Sequence, residues 1–392
     1  MNKKIGILTG GGDVPGLNSV IKSLVYRSGS QPGFEVIGLR KGWEGLTHCL
    51  PVKGVDAEYL LPLNRDNTRT VDRSGGTFLH TSRTNPSKMV VADLPEHLRE
   101  RAKGLESVGT GLVDATPVVL ENLDKLGIHY VVAIGGDDTL SYAWTLANAG
   151  VNIVAVPKTM DNDVPGTEYC IGFSKAMTRA LNALTRLRTT LGSHERIGIV
   201  RMFGRDAGFT ALYTAYVSSV RCCIPEATFG LEDLIQTLVD DKKNNPSRYA
   251  LLLISEGASW SGRQVLEHGE ADAYGHRKKE NIAEILAEEV KKQTGEQTTV
   301  VDLTYDLRSG EPDFLDKMVA VTFANMAFEC IVRGDTGRMI AIRGGCYTDT
   351  PIPDPSEGSR KVDVPTMYDC KRFRPNYATK KGLPIFMMGV DD

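Results

Sequence analysis

The stretch Tyr130-Val131-Val132-Ala133-Ile134-Gly135-Gly136-Asp137-Asp138-Thr139 is answered, one helical pattern later, by Ile153-Val154-Ala155-Val156-Pro157-Lys158-Thr159-Met160-Asp161-Asn162-Asp163. Each begins as a short β-branched apolar run and breaks into a polar loop, the pattern of a buried strand delivering a loop to the carboxyl edge of an α/β sheet. Two such junctions in succession predict neighbouring strands, with Asp137, Asp138, Asp161, Asp163 and Lys158 in adjacent loops at the edge where these folds bind phosphorylated ligands.

Outward from this pair, the alternation continues. Ile5 to Thr9, Val36 to Leu39, Ile197 to Met202, Tyr249 to Ile254, Thr298 to Leu303 and Met339 to Ile342 read as further strands. Helical periodicity covers Asn18 to Tyr26, Ala115 to Leu126, Leu140 to Ala149, Lys175 to Leu191, Asn281 to Thr294 and Leu315 to Val332. Strand and helix in turn argue for an α/β protein with largely parallel sheets. The polar segment from Thr84 to Gly111 reads as a locally helical insertion, and Tyr347 to Arg374, rich in Pro, Asp and Ser, as an extended tail without a chemical motif.

The chain has 392 residues, 41% of them hydrophobic, enough for about two domains. A net charge of -3 from nearly balanced acids and bases gives no attraction to nucleic acid or anionic membrane, so phosphate binding must be local. No apolar stretch approaches a membrane span, and the run after Met1-Asn2-Lys3-Lys4 is too short for a signal peptide. Seven scattered cysteines without a CxxC pair read as reduced thiols, and cytoplasmic placement is expected.

The loop chemistry is that of phosphoryl transfer. Thr9-Gly10-Gly11-Gly12-Asp13 before a helix start offers bare amides to an anion, although a purely structural turn reads the same way. It is neither a dinucleotide fingerprint, since Pro15 stands where a third glycine belongs, nor a Walker A loop. Asp137 can hold Mg²⁺, a hard ion that prefers carboxylate and phosphate oxygens; helix capping is the plainer reading of Asp137-Asp138-Thr139. Asp161 is the candidate base for a hydroxyl proton and Lys158 the candidate phosphate clamp, against an Asx-turn reading of Asp-Asn-Asp. Arg205, Arg308 and Arg196, at the ends of elements, suit phosphate monoesters, and Glu256 suits sugar hydroxyls.

These motifs, in this order from Lys4 to Gly344, resemble the 6-phosphofructokinase family: Gly10 to Asp13 with Pro15 to Asn18, Gly75-Gly76-Thr77 with Ser82-Arg83, Gly135 to Thr139, Pro157 to Asp163, His194 to Arg196, Gly204-Arg205, Ser255-Glu256 and Arg308. The resemblance implies two αβα-sandwich domains, 1–172 with about 307–357 for the donor and about 173–306 with 358–392 for the sugar phosphate, the break lying near Ile171 to Ser174 and the active site in the cleft between them. It implies donor contacts from Gly11, Gly12 and Arg83, Mg²⁺ on Asp137, and proton removal from the fructose 1-hydroxyl by Asp161. It also implies sugar-phosphate contacts from Thr159, Met160, Asp161, Phe203, Gly204, Arg205, Glu256, Tyr305 and Arg308. Arg196 would reach in from a neighbouring subunit, so that a homodimer or homotetramer completes each site.

In ATP-using members, glycine usually stands at the places of Asp138 and Lys158. Here both resemble the pyrophosphate-using branch, whose donor and acceptor would be pyrophosphate and fructose 6-phosphate. The physics agrees: a carboxylate at Asp138 repels a nucleotide's α-phosphate, and Lys158 offsets the charge of a bare diphosphate. The alternatives are an ATP-dependent member, a broader kinase that also takes sedoheptulose 7-phosphate, a non-catalytic regulatory subunit, and the NAD and lipid kinases, which share only the Gly-Gly-Asp loop. Phe203 replaces a usual methionine, Asp306 enters the sugar-side loop, and Thr299 stands where a second cross-subunit arginine is common. Tyr26 and Ser247 occupy effector positions that are basic in regulated bacterial members, so control by ADP or phosphoenolpyruvate is expected to be weak or absent.

Overall fold

The computed structural model describes residues 2–51, 56–263, 267–269, 274–275 and 277–377. In chain order, the first sheet takes β1 (Lys3–Thr9), β2 (Phe34–Leu39), β3 (Leu60–Leu63), β4 (Ile128–Gly135) and β5 (Ile153–Pro157). The second sheet takes β6 (Ile197–Met202), β7 (Arg221–Cys223), β8 (Ala250–Ser255) and β9 (Thr298–Leu303), before β10 (Arg338–Arg343) and β11 (Cys346–Pro351) return to the first. The long helices are α1 (Leu17–Ser28), α2 (Thr116–Leu126), α3 (Asp137–Asn148), α4 (Phe173–Ser193), α5 (Phe209–Ser218), α6 (Leu231–Asn244), α7 (Ile282–Thr294) and α8 (Phe314–Arg333).

The seven-stranded sheet runs β11-β10-β5-β4-β1-β2-β3, parallel except for its two edge strands. Its strand order reverses between β1 and β4, and the loops leaving these strands, Gly10 to Gly16 and Gly136 onward, flank that switch point. The four-stranded sheet, β7-β8-β6-β9, is parallel throughout, and its corresponding loops follow β6, β8 and β9. Strands covered on both faces need apolar residues at every position, hence unbroken runs such as Tyr130 to Ile134 and Leu251 to Ile254, all buried.

All expected strands and helices are present, with boundaries shifted by at most three residues. Pattern reading did not find β3, which carries a proline on an edge, β7, which is three residues long, or β11, a polar antiparallel edge. It also missed α5, which is buried on most sides and so lacks a polar face, and α6. The insertion after Thr84 is a small unit of its own: helix Glu96–Ala102 and three short strands close over Met89, Leu94, Leu98 and Val113.

Where the chain passes from one sheet to the other, the buried Asp316 of α8 accepts from Tyr169 Oη at 2.6 Å and from the amides of Gly172 and Lys175, both at 2.8 Å. The start of α4 is thus capped by a carboxylate from another helix, which fixes the junction between the sheets.

Candidate active site

The loops at the carboxyl edges of both sheets converge on one cleft of about 1060 Å³. Of the expected site residues, Gly11, Gly12, Arg83, Asp137, Asp138, Lys158, Thr159, Asp161, Phe203, Arg205, Glu256, Tyr305 and Arg308 line it. Three do not. Met160 is buried in the core, and Arg196 sits half-buried between α4 and β6, outside its own chain's cleft. Gly204 is fixed by its backbone: its φ is 125°, its carbonyl accepts from the amide of Gly257, and a Cβ would meet Ala207 O at 2.7 Å.

At the end of the cleft nearest β1, the glycine turn is packed against its surroundings. A Cβ on Gly10 would lie 2.5 Å from Thr139 Oγ1, and one on Gly12 1.9 Å from a terminal nitrogen of Arg308. Gly11 donates its amide to Ser82 O at 2.9 Å. Lys158, almost wholly buried, donates from Nζ to Gly12 O at 2.7 Å and so bridges the loops after β1 and β5. Burial drives its pKa down to about 8, Arg308 adding to the effect and Asp138 and Asp13 opposing it.

Asp137 opens α3 without capping it. The N-cap position belongs to Gly136, and no side chain caps the helix. Asp137 Oδ2 accepts instead from Ser359 Oγ at 2.7 Å, while Oδ1 is buried with no hydrogen-bond partner. Burial, with the negative charge of Asp138 beside it, pushes this carboxyl up to about 6 against the pull of Ser359. An orphaned, buried carboxylate oxygen on a residue that lines the cleft fits a cation ligand. Among the described residues no three His, Cys, Asp or Glu side chains gather into an all-protein metal cage. That suits Mg²⁺, which is commonly held by one or two carboxylates, water and substrate phosphate.

Asp161 lies at the centre. Burial raises its carboxyl to about 7, the charge of Glu256 adding to the shift and Arg308 opposing it, and Oδ1 again lacks a partner. The loop is held by Asn162, buried and left-handed at φ 55°, which accepts from the Cys170 amide at 2.8 Å and donates to Glu168 O at 3.0 Å. Asn162 thus serves the backbone and leaves Asp161 and Asp163 facing the cleft, so the triplet is more than an Asx turn. Asp163 is also raised, by burial and then by Asp137 and Asp161.

At the other end, the guanidinium of Arg308 stacks 4.5 Å over the Phe203 ring and donates to Asp13 O at 3.4 Å, reaching back across the cleft. Arg205 donates to the carbonyl of Arg277. Asp306 does not line the cleft; it pairs with Arg179 at 2.6 Å. Two lining residues that the sequence reading missed, Arg201 and Asp302, are register partners on β6 and β9 joined at 2.6 Å, with Arg201 Nε buried and unpartnered. They sit inside strands, where charge has no loop signal to mark it. Asp13, Asp163, Asp206 and Ser359 also line the cleft. Ser359 corrects the reading of the 347–374 segment as a tail without chemistry.

The phosphofructokinase family profile matches residues 4–331. The chain belongs to the phosphofructokinase family. It is 37% identical to the pyrophosphate--fructose 6-phosphate 1-phosphotransferase of Thermoproteus tenax over 96% of this chain and 99% of that one. It is 35% identical to the protein of the same name from Amycolatopsis methanolica, covering 87% and 91%. It is also 35% identical to ATP-dependent 6-phosphofructokinase 3 of Streptomyces coelicolor, covering 92% and 96%. The fold matches the pyrophosphate-dependent phosphofructokinase structure from Nitrosospira multiformis with a TM-score of 0.76 at 16% identity, over 99% of this chain and 93% of that one. The chain is therefore an enzyme of this family, and no helix among its described residues is long and apolar enough to cross a membrane.

Proposed function

We propose that this enzyme transfers a phosphoryl group reversibly from pyrophosphate to the 1-hydroxyl of fructose 6-phosphate, giving fructose 1,6-bisphosphate and phosphate. The observation that carries the donor assignment is that Asp138 and the buried Lys158 line the same cleft as the glycine turn, the carboxylate of Asp138 supporting the charge of Lys158. A carboxylate there repels the chain of phosphates that a nucleotide must extend past the transferred group, and a cation there serves a compact diphosphate. A second reading, ATP as donor, is favoured by the likeness to the Streptomyces coelicolor ATP-dependent protein.

In the forward direction, Asp161 accepts the 1-hydroxyl proton, its raised pKa matching a base that works near neutrality. Lys158, Arg205 and Arg83 supply positive charge to the phosphoryl group in transfer, and Glu256, Thr159, Phe203, Tyr305 and Arg308 position the sugar phosphate. Mg²⁺, held by Asp137, would neutralise charge on the donor phosphates. In the reverse direction Asp161 returns the proton.

The same reading assigns the donor to residues 1–172 with 307–357 and the sugar phosphate to 173–306 with 358–392, of which 378–392 lie outside the described residues. It also holds that the enzyme is a cytoplasmic homodimer or homotetramer in which Arg196 serves a neighbour's cleft. Tyr26 and Ser247, standing where regulated bacterial members carry basic residues for effector phosphates, support weak or absent control by ADP. A sigmoidal rate curve made hyperbolic by ADP would refute that last point. Phosphorus NMR of the enzyme with Mg²⁺, pyrophosphate and fructose 6-phosphate should show fructose 1,6-bisphosphate and phosphate appearing together; a silent spectrum with both substrates intact would overturn the assignment.

A further inference from the structure

The segment Ser359 to Val362 makes hydrogen bonds to residues associated with both sheets. Ser359 Oγ donates to Asp137 Oδ2 at 2.7 Å. The next residue, Arg360, donates its amide to Asp163 O at 2.7 Å and its guanidinium to Asn162 O at 3.2 Å and Glu168 O at 3.3 Å, and stacks 4.5 Å over the Phe209 ring. Val362 donates its amide to Glu226 Oε1 at 2.9 Å, and the same oxygen accepts from the amide of Gly208 at 3.0 Å. One short strap therefore binds the Asp137 carboxylate, the loop carrying Asp161 and Asp163, and the end of the loop carrying Phe203 and Arg205.

The two oxygens of Asp137 are treated unequally. One is taken by Ser359, and the other is buried without a partner. An acid at the first position of a helix can turn back onto the free amides of the first turn; Ser359, pinned by Arg360 one residue on, holds it away from them. A second residue that grips one carboxylate oxygen orients the other toward a cation.

We propose that Ser359 is a positioning residue for the divalent cation of the donor: it fixes one oxygen of Asp137 so that the other is presented to Mg²⁺ and the diphosphate. The inference rests on the assignment of the metal to Asp137, and its test separates the two. Binding of methylenediphosphonate, an unreactive diphosphate, is titrated calorimetrically with and without Mg²⁺ for the wild type, Ser359→Ala, Ser359→Thr and Asp137→Asn, with the Mg²⁺-dependent rise in melting temperature as a second readout. Ser359→Ala should weaken the Mg²⁺-dependent binding about tenfold and leave fructose 6-phosphate binding within about twofold, and Ser359→Thr, which keeps the hydroxyl, should restore it. If Asp137→Asn abolishes the Mg²⁺ dependence while Ser359→Ala binds like the wild type, the role of Ser359 is overturned and the metal assignment stands. If Asp137→Asn keeps the full Mg²⁺ dependence, the metal assignment falls and the proposal with it.

Discussion

Replacing Lys158 by methionine separates a donor clamp from a structural pin. The ammonium is buried, and its pKa of about 8 against an ordinary 10.5 means that burial opposes its charge. At about 1.4 kcal/mol for each tenfold change in proton affinity, lowering from 10.5 to about 8 corresponds to roughly 3–4 kcal/mol held against the folded state below pH 8. The sign follows from proton binding: between pH 8 and 10.5 the unfolded chain holds the proton and the folded chain does not, so wild-type stability rises with pH across that window. Methionine removes this cost but also the bond to Gly12 O, worth about 1–2 kcal/mol. Lys158→Met should therefore be about 1–2 kcal/mol more stable than wild type at pH 7 and lose that advantage above pH 10, while kcat/KM for the donor falls by roughly 10²–10³ as a charge-assisted contact to the transferring group disappears. Urea unfolding at pH 7, 9 and 10.5 and donor-dependent initial rates read both effects. A variant that is strongly destabilised but retains donor kcat/KM would show that Lys158 serves only to pin the glycine turn, and would refute the reasoning.

Asp161→Asn should cut turnover by roughly 10²–10⁴ while fructose 6-phosphate still binds; near-full turnover would remove Asp161 as the base. Because the base must be ionised, forward kcat/KM should fall about tenfold per pH unit below about 7, and the reverse reaction, which needs the protonated acid, should fall above about 7. Matching limbs in both directions would contradict this. Asp138→Gly should raise ATP-dependent kcat/KM by about tenfold or more and lower the pyrophosphate ratio; an unchanged ATP rate would show that something else blocks the nucleotide. Gly12→Ala places a Cβ 1.9 Å from Arg308, whose flexible end can move, so unfolding should change by less than about 1 kcal/mol while the fructose 6-phosphate KM rises about tenfold. A large loss of stability there would mean that the turn itself cannot adapt.

What was legible in the sequence follows from where its signals lie. The runs ending at Gly135 and Pro157 are apolar at every position because their strands are buried on both faces, so the strand-to-loop junctions, and the acids in the loops, could be read directly. The glycine turn, Phe203, Arg205 and Glu256 follow strands of the same buried kind, while Arg308, beyond the half-buried β9, is legible only through the order of the motifs. Arg201 and Asp302 could not, because they stand within strands and reach the cleft only through cross-strand register. Ser359 lies in a polar segment whose composition suggests a tail; only the folded chain brings it back across 222 residues to Asp137. Met160 shows the reverse case, a loop residue expected at the cleft whose side chain packs in the core.

The donor is the central claim, and the ratio of kcat/KM for pyrophosphate to that for ATP, measured on the wild-type enzyme with saturating fructose 6-phosphate and Mg²⁺, tests it most directly. Asp138 and Lys158 predict a ratio of at least about 10², the discrimination that one like-charge contact with the nucleotide supports. Efficient turnover with ATP and none with pyrophosphate would contradict the account.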